Sequence, residues 1–122
     1  MEKPHRKLEV WKKSMELVAQ VYSFTATFPR DERYGLVSQM RRSAVSIPSN
    51  LAEGAARRND KELVQFLHVA MGSASELDTQ LEIGRRLGFL SEQDWARADA
   101  TLAEVDRMLL GLKRHLSRKS PD

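Results

Sequence analysis

A chain of 122 residues with a net charge of +3 fits one domain, and the absence of cysteine excludes disulfides, thiol catalysis and cysteine-ligated zinc. No apolar run approaches the roughly 20 residues that a membrane span needs, and the segment Met1 to Lys7 has no apolar signal core. A cytoplasmic, bacterial protein without a membrane partner is the expectation.

The first predicted helix spans about residues 8–27. Leu8, Trp11, Met15, Val18 and Tyr22 form one apolar stripe, and Val10, Leu17, Val21, Phe24 and Phe28 form a second beside it. At 100° per residue the two cover about half the circumference, which is wide for a helix buried on one side. Pro29 stops the helix, and the polar segment 29–34 reads as a loop.

The second helix is predicted over 35–58. Leu36, Met40, Ala44, Ile47 and Leu51 step by four, four, three and four, a helical stripe with Pro48 inside it. Proline removes one backbone N–H and crowds the carbonyl of Ala44, so one kinked helix is predicted, with Ser43, Ser46 or Ser49 able to serve freed carbonyls. The alternative is two helices, with Ser46 capping the second. Gly54 near the end implies a close helix approach.

Asn59 is a natural N-cap for a third helix over 60–87, with Glu62 placed as in a capping box. Its seam, Leu63, Leu67, Ala70, Ala74, Leu77, Leu81 and Gly84, alternates steps of four and three. Gly88 suits a left-handed C-cap, closed by Phe89 and Leu90. Ser91 caps a fourth helix over 92–117 with the seam Trp95, Ala98, Leu102, Val105, Leu109, Leu112 and Leu116. Residues 117–122 read as a frayed tail. Four helices and short loops predict an all-α, antiparallel, up-down-up-down four-helix bundle in a single domain, 1–122.

Several runs carry a family resemblance. They are Leu8-Glu-Val-Trp-Lys12, Phe28-Pro29, Arg33-Tyr-Gly-Leu36, Ser38 to Gly54 and Ser73 to Leu90, and the most specific is Ser46-Ile-Pro-Ser-Asn-Leu-Ala-Glu-Gly54. Over about three quarters of its length the chain resembles the four-helix-bundle proteins of the 23S ribosomal RNA intervening-sequence family. The resemblance implies a homopentamer with no established enzyme activity. It also implies a fold similar to the accessory proteins of diversity-generating retroelements, which bind nucleic acid and a reverse transcriptase.

Catalytic patterns are missing. His5, His68 and His115 form no His-x-x-x-His pair, and a di-iron bundle needs Glu-x-x-His motifs on two helices, whereas Glu62, Glu76, Glu82 and Glu104 are not followed by histidine at that spacing. The six glycines are scattered, without a phosphate loop or a nucleophile elbow. No catalytic residue, metal site or cofactor is therefore assigned, and an enzyme is not expected. The structural motif to watch is Ser46, Pro48, Asn50, Glu53 and Gly54. Glu53 is read as a structural hydrogen bond or an ion pair, with Arg41 or Arg42 of another subunit as a candidate partner.

The charge is uneven. In an up-down-up-down bundle one end collects Lys3, Arg6, Lys7, Lys12 and Lys13, then Arg57, Arg58 and Lys61, then Lys113, Arg114, Arg118 and Lys119. These blocks hold twelve of the twenty basic side chains and only six of the seventeen acidic ones. Helix-dipole complementarity accounts for cations at the ends of helices, but not at the start of the first. Aromatic residues do not alternate with these charges, so phosphate contact with structured RNA or another nucleic acid fits better than stacking on single strands.

Two functional readings follow. One is a non-enzymatic, homo-oligomeric bundle that contacts structured RNA through its basic end. The other is a scaffold for a partner protein, an enzyme or ribosomal particle, with the charges serving solubility. Self-association is expected through Val10, Leu17, Val21, Phe24, Phe28, Val37, Val64 and Met71, which find no partner in a four-helix core centred on the other stripe. Residue patterning alone makes a dimer the default. The family resemblance raises the expectation to five chains of 13.9 kDa.

Overall fold

The computed structural model describes residues 2–119. Among them are four helices and no strand: α1, Glu9–Thr25; α2, Leu36–Ala55; α3, Asp60–Arg86; and α4, Glu92–Lys119. Two 3-10 turns, Pro4–Lys7 and Arg30–Glu32, precede α1 and α2. α4 continues to Lys119, so residues 117–119 are helical rather than frayed. Residues 120–122 of the expected tail lie outside the described residues.

α1 and α3 each pack on both α2 and α4. Side chains join each neighbouring pair: Thr25 meets Arg41, Ser46 meets Ser73, Arg85 meets Glu92, and Lys13 meets Glu104. The four helices thus close into a bundle. The predicted seams of α3 and α4 form the core, with Leu67, Leu77, Leu81, Leu102 and Leu109 enclosed.

The local signals act as their chemistry requires. The Asn59 side chain accepts from the Glu62 N–H at 2.9 Å, and Ser91 Oγ accepts from the Asp94 N–H at 3.1 Å. Gly88 takes φ of +78°, open only to glycine without strain. The Phe89 N–H then reaches the Gly84 carbonyl and the Gly88 N–H the Arg85 carbonyl, which closes α3 in a Schellman motif. α2 runs unbroken from Leu36 to Ala55 with Pro48 buried inside it. Ser46 therefore caps no second helix.

The placement of α1 corrects the sequence reading. Val10, Leu17, Val21, Phe24 and Phe28 face the core of their own chain, and Val37 of α2 is buried with them. Val64 and Met71 are half-buried and pack on the same core. None of the eight lacks a partner within the chain. Of the other stripe, Met15 and Tyr22 are exposed at 43% and 44%, while Leu8, Trp11 and Val18 are half-buried at the edge of the core. The reason is Ser14. Positions 10, 14, 17, 21, 24 and 28 form an unbroken heptad seam once a serine is admitted to it. Ser14 is fully enclosed because its hydroxyl donates to the Trp11 carbonyl one turn back, at 2.9 Å. A buried polar group that is hydrogen-bonded carries little penalty.

Candidate nucleic-acid interface

Three contacts gather the basic blocks at one end of the bundle. The turn Pro4–Lys7 packs on α2. Gly54 of α2 lies against α3 so closely that a Cβ there would sit 2.8 Å from both Leu63 Cδ1 and Phe66 Cβ. Lys119 at the end of α4 comes within 3.9 Å of Asp60 at the start of α3. Glycine at 54 thus lets the end of α2 and the start of α3 converge, and their cations with them.

Four of the twelve candidate cations have an acidic partner. Arg57 pairs with Glu53 one turn back at 2.6 Å, and Lys12 pairs with Glu9 at 3.4 Å. Lys13 reaches Glu16 and, across to α4, Glu104, each at 3.2 Å. Glu104 first, then Glu16, raises the Lys13 ammonium above its ordinary range. Lys119 meets Asp60 loosely. The other eight are Lys3, Arg6, Lys7, Arg58, Lys61, Lys113, Arg114 and Arg118. Among the described residues they have no acidic partner within 4.0 Å. All but the half-buried Lys113 are exposed.

Two aromatic rings at this end lie under cations, contacts that the sequence reading did not anticipate. Arg6 lies 5.4 Å over Trp11, which His5 also meets edge-on at 5.0 Å. Arg57 lies 5.0 Å over Phe66. Cations cover both rings, so the end presents charge rather than open stacking faces. The signal was the spacing of Arg6 from Trp11 across the turn before α1, which needs the fold to become a contact.

The motif of α2 divides its tasks. Ser46 shares a 2.7 Å hydrogen bond with Ser73 of α3, and the Asn50 amide donates to the Ser46 carbonyl at 2.8 Å and its hydroxyl at 3.0 Å. Ser46 thus turns to α3 instead of back to the Ala44 carbonyl. Glu53 is bound by Arg57 of its own chain. Within the same chain Arg41 donates to Thr25 Oγ1 at 3.0 Å and covers the Tyr22 ring at 4.4 Å. Among the described residues no His, Asp and Glu group is arranged to hold a metal, and no helix is long and apolar enough to cross a membrane.

Comparison with known proteins agrees with this architecture. No curated protein matches the chain. The crystal structure of a protein of unknown function from the S23 ribosomal protein family of Bacteroides thetaiotaomicron superposes with a TM-score of 0.79. That superposition covers 86% of this chain and 95% of the other at 19% identity, which speaks for the fold alone. The family model described as 23S rRNA-intervening sequence protein matches residues 6–111. The chain belongs to the 23S rRNA-intervening sequence protein family.

Proposed function

We propose that this protein is a non-enzymatic bundle that contacts structured RNA through its basic end. One observation carries the reading: eight cations without acidic partners gather where the start of α1, the turn between α2 and α3, and the end of α4 meet. Cations left unpaired by their own chain are free to displace counterions from phosphate. The Lys3, Arg6 and Lys7 group lies before α1, where the helix dipole disfavours positive charge, so a purpose beyond helix capping supports this reading. A labelled RNA hairpin titrated at several salt concentrations tests it. Affinity should fall steeply with salt, with a log–log slope of about −4 or steeper. A protein that ignores RNA at low salt sinks the proposal.

The proposal includes self-association, with its face moved from the buried stripe of α1 to the outward one. Met15 and Tyr22 of α1 and Val45 of α2 are exposed there. A ring of five, the number implied by the family resemblance, would set five basic ends side by side and strengthen their joint field. Light scattering should give about 70 kDa for five 13.9 kDa chains. A stable species at the single-chain mass overturns it. The rival reading, a scaffold for a partner protein, draws on Val69, Ile83 and Leu87, apolar and exposed along the outer side of α3. A partner retained through high-salt washing, without RNA, would favour it.

A further inference from the structure

The groove between α2 and α3 is built of polar groups that the bundle does not need. It is open, about 470 Å³ in volume, and Tyr34, Arg42, Ser46, Ser73, Glu76 and Gln80 line it. Gln80 is only 8% exposed, yet its Oε1 is sealed from solvent with no hydrogen-bond partner among the described residues. A buried amide oxygen without a donor is costly, and such groups are rare in native folds. Leucine would fill the position without that cost. The Ser46–Ser73 hydroxyl pair lies in the same groove and can turn either a donor or an acceptor toward a visitor. Arg42 of α2 and Glu76 of α3 also line it, and neither has an ion-pair partner among the described residues. Tyr34 at its mouth is 89% exposed.

We infer that this groove is a binding site for a guanine mononucleotide. A guanine base offers adjacent N1–H and N2–H donors, which a carboxylate such as Glu76 accepts as a pair. A further donor, from the base or the ribose, meets Gln80 Oε1 once the amide, which lines the groove, turns outward from its sealed position. Arg42 supplies the cation for a phosphate, and the Tyr34 ring supplies a flat face for the base. The groove volume falls within the ordinary range for small-molecule sites. A free amino acid would use the two charges but leave most of that volume and the ring unused. The site lies along α2 and α3, and does not rest on the RNA reading of the basic end.

The test is a titration of the 15N-labelled full chain with GMP, AMP, CMP, UMP and guanosine. GMP should give saturable shifts at Ser46, Ser73 and Gln80 with a Kd below about 1 mM, at least about fivefold tighter than the other three nucleotides. Gln80→Leu should keep the fold and weaken GMP at least about fivefold, with Ser73→Ala as the second variant should Gln80→Leu fail to fold. Arg42→Ala should erase the advantage of GMP over guanosine while guanosine still binds. Reversing Arg58, Lys61 and Arg114 should leave GMP binding unchanged, which separates this site from the basic end. The inference is overturned if no nucleotide shifts the groove residues saturably. It is equally overturned if shifts fall only at the basic end, if glycine or glutamate competes as well as GMP, or if the groove variants bind GMP like the parent.

Discussion

The two ends of the bundle hold arginines in opposite ways. At the end where α3 turns into α4, Arg85 stacks 3.9 Å over Trp95 and pairs with Glu92 at 3.0 Å, while Arg86 pairs with Glu82 at 2.8 Å. Phe28 there meets both Phe24 and Phe89. Arg85 and Phe28 fasten one element to another, and Arg86 ties the last turn of α3 to the turn before it. At the basic end Arg58, Lys61, Arg114 and Arg118 touch no acid among the described residues and fasten nothing. The same side-chain chemistry is spent on cohesion at one end and left open to solvent at the other. An arginine's position in the sequence does not reveal which; the presence of an acid one turn away, or across a helix pair, does.

The comparison breaks most directly by charge reversal. Arg58→Glu, Lys61→Glu and Arg114→Glu together should weaken binding of an RNA hairpin roughly a hundredfold at moderate salt, and flatten the salt slope by about three units. The melting temperature should hold, because these cations make no ion pair among the described residues; equal loss of stability and binding would mean that they fasten the fold after all. The two helical glycines sharpen the contrast. Gly54→Ala should cost about 1–3 kcal/mol, since its Cβ would meet Phe66 Cβ at 2.8 Å. Gly84→Ala, whose Cβ would stand 3.4 Å from Phe28 Cζ, should be neutral or up to about 1 kcal/mol stabilising through helix propensity. Thermal or urea unfolding of the pair checks both.

A smaller effect is expected from the fastened arginine. Arg85→Ala should lower the melting temperature by a few degrees through loss of the Trp95 stack, whereas Arg58→Ala should leave it in place. The smallest effect is one of pH. Arg86 first, then Arg85, holds the Glu82 carboxyl below its ordinary value. A lowered carboxylate adds stability above its unfolded pKa and loses it as pH falls through the folded one. Glu82→Gln should therefore melt slightly below the parent near neutral pH, with the gap closing in acid. A gap that stays constant with pH would assign the effect to packing.

Much of this was legible along the chain. The seams of α3 and α4 are apolar at nearly every heptad position, so their buried faces could be read directly, as could the caps at Asn59, Gly88 and Ser91. The continuity of α2 through Pro48 followed from a stripe that kept its phase. The orientation of α1 was not legible, because the inward seam contains Ser14 and the outward stripe contains only apolar residues. Each stripe holds five apolar residues, so counting them could not choose the face. What decided it was a hydroxyl that bonds to its own helix, an interaction that hydropathy does not register. The basic blocks could be located, but not which members are already paired. Lys13 belongs to Glu104, ninety-one positions away. The orphaned Gln80 was invisible for the same reason: only the packed neighbours of a side chain tell whether its oxygen has a donor.

Ser14 has one more consequence. The chain lacks cysteine altogether, and Ser14 is enclosed completely while bonding only to its own helix. A sulfur atom at that position would displace little and leave no distant partner stranded. Ser14→Cys therefore turns the bundle into its own clock. A thiol reagent can reach the single sulfur only when α1 lifts away, so the labelling rate counts openings of the native state. Measured with and without RNA, and above and below the concentration at which chains associate, that rate would reveal which of the two holds α1 down.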